Sequence, residues 1–266
     1  MSGNIHPSAV IAEGAIIDAE ARIGPFCVVG SHASIGPGCE LISHVCVDGH
    51  TRLGANNKVF PFVSLGHQPQ DLKYKGEASE LIIGDNNTIR ENVTMNPGTE
   101  GGGMVTRVGN SNLIMAYAHV AHDCQLGDGI VMANCATLAG HVHVFDGAII
   151  GGLTAVHQFV RIGAASMIGG ACAVNKDVPP FCMCTGGYRA GLSGLNLVGL
   201  RRRGVKGESV SRLKRLYRIL FQGSADKDER LKQAEGLLVS DAPARDLVEF
   251  VRQATRGVCM HRDEDA

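Results

Sequence analysis

The chain has 266 residues, 44% hydrophobic and 19% charged, with a formal net charge of -1, which excludes a disordered segment and a strongly basic nucleic-acid binder. No apolar run approaches the roughly 20 residues of a membrane span, and residues 1–11 lack the basic and apolar regions of a secretory signal, so a cytoplasmic protein without an integral membrane segment is expected. Nine cysteines with no CxxC pair read as reduced, mostly buried thiols, while 35 glycines and no tryptophan suggest something repetitive with tight corners.

From the N-terminus an aliphatic residue recurs at every sixth position: Ile5, Ile11, Ile17, Ile23, Val29, Ile35, Leu41, Val47, Leu53, Val59 and Leu65. After a break the series resumes at Ile83, Ile89 and Met95. After another it runs unbroken from Val108 through Ile114, Val120 and Leu126 to Val174. Glycine often follows the aliphatic residue, as in Ile23-Gly24 and Ile35-Gly36, where a corner is expected to need a residue without a Cβ. Hexapeptide repeats are a signature of parallel β-helices, and the pattern resembles the left-handed class. Three hexads then form one triangular coil of about 18 residues, with strands stacked at about 4.8 Å. The expected fold is mainly β: a left-handed parallel β-helix over residues 1–192, then a small C-terminal α-helical domain over 193–266.

The two breaks, residues 66–82 and 96–107, must leave the prism as loops. The first contains Gln70-Asp71-Leu72-Lys73-Tyr74, a carboxylate, an ammonium and an amide suited to gripping a polar ligand. From Ser193 onward helical periodicity replaces the hexads. Val210, Leu213, Leu216, Tyr217 and Leu220 give one amphipathic helix, Leu231, Ala234, Leu237 and Leu238 a second, and Leu247, Val248, Val251 and Ala254 a third. Residues 1–192 hold 10 basic and 15 acidic residues, net -5, and residues 193–266 hold 15 and 11, net +4. Eight Lys or Arg between Arg201 and Arg218 face a single acid, Glu208, a pattern suited to an anionic partner.

Five of the eleven histidines, His119, His122, His141, His143 and His157, fall in the most regular part of the prism. Residues about 18 apart should stack, which puts His122, Gly140 and Gln158 in one column and Asp123 and His141 in the next. Because His122 and Asp123 are adjacent, their side chains are expected to diverge. A histidine near a carboxylate can act as general base on a hydroxyl, and a backbone N–H one coil away can serve as an oxyanion hole for acyl transfer. The other chemistry is zinc, which trimeric β-helix carbonic anhydrases hold with three histidines from two subunits. His119 and His122 are three apart, closer than that site would require. A purely structural or ice-binding β-helix should show a regular Thr or small-residue array on one face, and none is visible.

The chain resembles the acyl carrier protein-dependent UDP-N-acetylglucosamine O-acyltransferases that open lipid A biosynthesis. The resemblance is carried by Gln70-Asp71-Leu72-Lys73-Tyr74, Ala118-His119-Val120-Ala121-His122-Asp123-Cys124, Ala136 to His141, Gly151 to Phe159, Asp177-Val178-Pro179-Pro180 and Gly199-Leu200-Arg201-Arg202-Arg203-Gly204. It implies that His122 removes the proton of the glucosamine 3-hydroxyl with Asp123 assisting. The Gly140 N–H would stabilise the oxyanion formed on the thioester of a 3-hydroxyacyl-acyl carrier protein. It implies further that Asp71, Lys73, His141 and Gln158 hold the sugar and diphosphate, that Gln70, His119 and His157 line the cleft, and that Asn196, Arg202 and Arg203 approach the uridine diphosphate. Gly170 matches the acyl-chain ruler, and the basic patch would receive the acidic carrier protein. By the same resemblance the protein is a homotrimer with sites between subunits and needs no metal or other cofactor. Asn96-Pro97 stands where the family usually has His-Arg, and Val198 where it has an acid, so a 3-amino sugar is the alternative acceptor.

Overall fold

A two-residue strand is fixed only by hydrogen bonds to neighbours on both sides. The computed structural model, which describes residues 4–238 and 241–261, supplies those bonds by coiling the chain into three sheets of nine, eight and ten strands, parallel except for the last strand of the third. Successive hexads feed the first, second and third sheet in turn, beginning with Val10–Ile11, Ile16–Ile17 and Arg22–Ile23. In the regular coils a strand residue pairs with the one 18 further on, as Val131 with Ile149 and Ile149 with Met167. The fold is the left-handed parallel β-helix that the hexads imply.

The aliphatic series fills the prism. From Ile23 to Val174 every member is at most 4% exposed, so each stacks on its equivalents a coil away and forms one continuous apolar column. Smaller residues, among them Ala21, Cys27, Ala33, Cys39 and Cys124, close the interior at the corners. All nine cysteines are free, and burial pushes the Cys124 thiol up to about 12, so it serves as a small apolar filler. One corner of the interior holds amides instead. Asn87 donates to Asn57 Oδ1 at 3.0 Å and to the Gly109 carbonyl at 2.9 Å, and accepts the Asn112 N–H at 2.9 Å.

The glycines after the aliphatic residues have a different cause from the one expected. The corner position with positive φ comes two residues later, and non-glycine residues often occupy it, including Asp123, His141 and Phe159 at 61°, 61° and 64°. Gly24 has no positive φ; a Cβ there would lie 1.8 Å from the Ile42 carbonyl oxygen. Close approach of the next coil, not backbone freedom, selects glycine at that position.

Both excursions leave the prism at one corner. Leu65 pairs with Met95, 30 residues on instead of 18, an insert of 12, and Met95 pairs with Val120, 25 on, an insert of 7. Each leaves the first sheet and re-enters the second, at strands Glu80–Ile83 and Val105–Val108. Those strands are four residues long, so the excursions span residues 66–79 and 96–104, shorter than the gaps in the hexad series. Leu81 and Thr106 are buried and paired outside the six-residue pattern.

The domain boundary also lies later than residue 192. An antiparallel pair, Cys182–Thr185 with Gly191–Leu195, ends the third sheet. Among the described residues four helices follow: α1 (Leu197–Arg202), α2 (Glu208–Tyr217, continued by a wider turn to Gln222), α3 (Lys227–Glu235) and α4 (Ala242–Arg252). The short α1 has no apolar periodicity long enough to announce it. Leu213, Leu216, Leu220, Leu231, Leu247 and Val251 form the core of this domain, as the helical spacing requires. The chain then returns to the last coil, where Asp177 donates its N–H to Gly257 and accepts that of Cys259.

Asn87→Ala strips a donor from the Gly109 carbonyl and an acceptor from the Asn112 N–H inside a sealed interior, a loss of about 2–4 kcal/mol. Thermal unfolding should show a clearly lower melting temperature with the native far-UV spectrum retained.

Candidate functional site

The corner from which both excursions emerge carries, in the next three coils, His122-Asp123, Gly140-His141 and Gln158-Phe159. Stacking follows the predicted columns: the His141 N–H donates to the His122 carbonyl and the Phe159 N–H to that of Gly140. At each coil the third corner residue has positive φ, which turns the chain sharply. The adjacent side chains of His122 and Asp123 therefore converge instead of diverging, and His122 Nδ1 donates to Asp123 Oδ2 at 2.8 Å.

The Asp123 carboxylate is sealed from solvent and is gripped by a residue that sequence reasoning missed. Thr99, in the second excursion, donates its N–H to Oδ1 at 2.8 Å and its hydroxyl to Oδ2 at 2.6 Å. Gly102 of the same excursion passes so close that a Cβ would stand 1.9 Å from the carboxylate carbon. Below, the Thr106 hydroxyl accepts the Asp123 N–H at 2.7 Å. A carboxylate only accepts, so His122 carries its proton on Nδ1 and presents the Nε2 lone pair outward. The His122 ring lies flat on Gly140, where a Cβ would be 2.5 Å from Cε1. The Gly140 N–H has no acceptor among the described residues.

His141 completes the cluster. Its ring stands edge-on to His122 at 5.0 Å and stacks on Phe159 at 4.4 Å and 8°, and its Nδ1 is 3.8 Å from Asp123 Oδ2. Burial holds its pKa below the ordinary histidine value against the pull of Asp123, which favours the neutral ring. In front of it opens a cleft of about 620 Å³ between the two excursions, lined by Asp71, Lys73, Lys75, Thr99, His141 and Phe159. Gln70 lies on the same excursion as Asp71, and His157 and Gln158 lie exposed on the same corner.

Other expected residues stand apart within one chain. His119 lies on the outer face of the first sheet with Nδ1 2.7 Å from the Thr94 hydroxyl, and burial, then His122, lowers its pKa. Asn196 is buried; its Oδ1 caps α1 through the Gly199 N–H and its Nδ2 donates to the Ala165 carbonyl at 2.9 Å. Its amide therefore serves the fold rather than the cleft of its own chain. Arg203 donates to the Asp146 carbonyl at 2.5 Å, and Arg202 is exposed at the end of α1. These three belong to the corner between the second and third sheets. Gly170 belongs to the remaining corner, 3.2 Å in Cβ reach from the Gly152 carbonyl. Asn96 roots the second excursion to the first, donating to the His67 carbonyl at 3.1 Å.

Among the described residues, His122, Asp123 and His141 are the one His/Asp group compact enough for a metal ion. Both carboxylate oxygens are already engaged by Thr99 and His122. The donor set is thus two imidazoles and a committed carboxylate, not the three histidines of the zinc reading. The numbering signalled only that both excursions leave one corner, since Leu65 and Met95 occupy the same column as Val120 and Leu138.

Comparison with known proteins gives the same direction. A family model described as UDP N-acetylglucosamine O-acyltransferase, domain 2, matches residues 177–259, and the bacterial transferase hexapeptide model matches residues 8–43 and 106–140. The chain is 48% identical to an acyl-[acyl-carrier-protein]–UDP-N-acetylglucosamine O-acyltransferase of Aliarcobacter butzleri over 97% of its length and 99% of the relative's. It is 49% identical to that of Thermodesulfovibrio yellowstonii, over 96% and 98%. Among solved structures, the UDP-N-acetylglucosamine acyltransferase of Francisella novicida superposes with a TM-score of 0.93 at 39% identity, covering 98% of this chain and 95% of that one. With near-complete coverage at close to half identity, the chain belongs to the acyl-[acyl-carrier-protein]–UDP-N-acetylglucosamine O-acyltransferase family.

Proposed function

We propose that the protein transfers an (R)-3-hydroxyacyl chain from acyl carrier protein to the 3-hydroxyl of UDP-N-acetylglucosamine, the first step of lipid A biosynthesis. The observation that carries the reading is the line Thr99–Asp123–His122, ending in an imidazole laid on Gly140. His122 Nε2 takes the proton of the sugar hydroxyl as the oxygen attacks the thioester carbonyl. Asp123 stabilises the imidazolium that forms, and the Gly140 N–H receives the oxyanion. Collapse of the tetrahedral intermediate breaks the C–S bond, and the proton held on His122 goes to the departing thiolate. Neutral His141, Asp71, Lys73 and Gln158 orient the sugar and diphosphate, with Gln70 and His157 beside them. No cofactor beyond the carrier-protein thioester enters the reaction.

The same reading makes the protein a homotrimer. Leu72 is fully exposed at the tip of the first excursion, and Tyr117 and Leu153 stand exposed on another corner, apolar surface that a neighbouring copy would cover. A neighbour that laid its Arg202 and Arg203 along the cleft would supply cations for the diphosphate, with its Asn196 fixing the helix that carries them. Gly170 would leave room for the acyl chain between copies. The exposed cations Arg201, Lys206, Lys214, Arg215 and Arg218 suit an acidic carrier protein. No helix among the described residues is long and apolar enough to cross a membrane, and a cytoplasmic location is the reading consistent with a soluble carrier protein as donor.

In a transfer assay with UDP-N-acetylglucosamine and a panel of 3-hydroxyacyl-acyl carrier proteins, His122→Ala should lower the rate by about 10² to 10⁴ with the oligomer intact. Loss of the oligomer in that variant would make His122 structural, and product only with the 3-amino sugar would replace the hydroxyl acceptor. Thr99→Val keeps the backbone donor to Asp123 and removes the hydroxyl, so kcat should fall by about tenfold, the kinetic weight of one hydrogen bond to a charged group. A chelator should leave the rate unchanged; stoichiometric zinc together with chelator-sensitive turnover would reverse the assignment to a hydratase.

A further inference from the structure

His157 follows Val156 on the first corner, with Ala139 stacked on one side and Asn175 on the other. Its ring is exposed. Nδ1 lies 3.1 Å from Nη2 of Arg256 and 3.1 Å from the Gln158 carbonyl oxygen. The two contacts make opposite demands. A carbonyl only accepts, and would need the proton on Nδ1; a guanidinium only donates, and needs the Nδ1 lone pair. A guanidinium has five N–H donors and no acceptor to offer. While Arg256 is in place, Nδ1 is therefore the acceptor, and the proton of the neutral ring resides on Nε2.

The position of that guanidinium is set from the far end of the chain. Arg256 follows α4, and its Nε donates to the Asn175 carbonyl at 3.2 Å, one coil beyond His157. The next residues close on the last coil through the two backbone hydrogen bonds between Asp177 and Gly257 and Cys259. Arg256 is half-buried there. Nε2 of His157 has no partner among the described residues, so its proton is available on the edge that carries the cleft.

We propose that Arg256 is a positioning residue: docking of the C-terminal segment onto the last coil fixes His157 as a hydrogen-bond donor at Nε2, matched to an oxygen of the sugar nucleotide. The substrate half of this inference rests on the acyl-transfer reading; the tautomer half does not. Without Arg256, Nδ1 is free to donate to the Gln158 carbonyl, and Nε2 turns from donor into acceptor in front of a substrate oxygen.

The test uses the full chain labelled with ¹⁵N-histidine, where two-bond nitrogen–proton correlations report the tautomer and His157→Gln identifies the signal. The wild-type ring should be the Nε2–H tautomer. An Nδ1–H ring in the wild type overturns the proposal, whatever the activity and whether or not the variants fold. Arg256→Met should shift the ring toward Nδ1–H and raise KM for UDP-N-acetylglucosamine by about tenfold, the scale of one reversed hydrogen bond, with kcat held within about twofold. In a His157→Ala background the same substitution should add less than about twofold, because the two residues act as one unit. Additive losses in the double variant, or a fall in kcat at constant KM, would reduce Arg256 to a part of the fold. Absence of transfer to any UDP-sugar by the wild type would fail the functional reading instead, and the tautomer result would stand.

Discussion

The site depends on the hydrogen-bond ladder that locks each coil to the next. Because pairing runs at 18 residues with no slip through the regular coils, His122, Gly140 and Gln158 are held at the spacing of adjacent strands. On the proposed reading, a general base and an oxyanion donor are then placed relative to each other by backbone geometry alone, without loops that must close first. Such pre-organisation is where electrostatic stabilisation of a transition state is most effective. The same ladder makes the interior intolerant: with an aliphatic residue every six positions, a slip of one to five residues would turn the apolar side chains out of the prism.

Rigidity along the prism leaves the carboxylate to be managed from outside. The corner residue Asp123 is buried by the second excursion, whose Thr99 saturates both oxygens and whose Gly102 gives the carboxylate room. Each of these contacts is short and local, so the excursion acts as a clamp on the base's partner and also as one wall of the cleft. The first excursion supplies the opposite wall with Asp71 and Lys73. The two are tied at their roots by Asn96, an amide that works between loops at a position where the family usually has a histidine.

The prism itself was legible because its signal is redundant: more than twenty aliphatic residues say the same thing, and those from Ile23 onward are all buried. The column of His122, Gly140 and Gln158 followed from the same arithmetic. The His122–Asp123 hydrogen bond did not, since alternation of side chains applies to strands and fails where positive φ at Asp123 turns the chain. Thr99 was illegible for a related reason. It sits in a segment without periodicity, and nothing in its local sequence says that it folds back onto Asp123, although the numbering did put both excursions on one corner. The role of Asn196 within its own chain was not legible either, because a motif match carries no information about local hydrogen bonding: its amide caps α1 and donates to the Ala165 carbonyl.

The choice of a corner for chemistry has a backbone explanation. Along the strands, N–H and carbonyl groups pair with the coils on either side, and nothing is left over to receive charge from a substrate. At the corner the second residue drops out of the ladder: the Gly140 N–H has no acceptor among the described residues, although its carbonyl still takes the Phe159 N–H. An unpaired N–H is ordinarily a cost. Here it is a donor held in fixed orientation, and glycine keeps it open, because any Cβ at that position would occupy the place of the His122 ring. The His122 ring and a side chain at residue 140 are thus mutually exclusive, so on the proposed reading the missing Cβ is what lets a base and an oxyanion donor stand side by side.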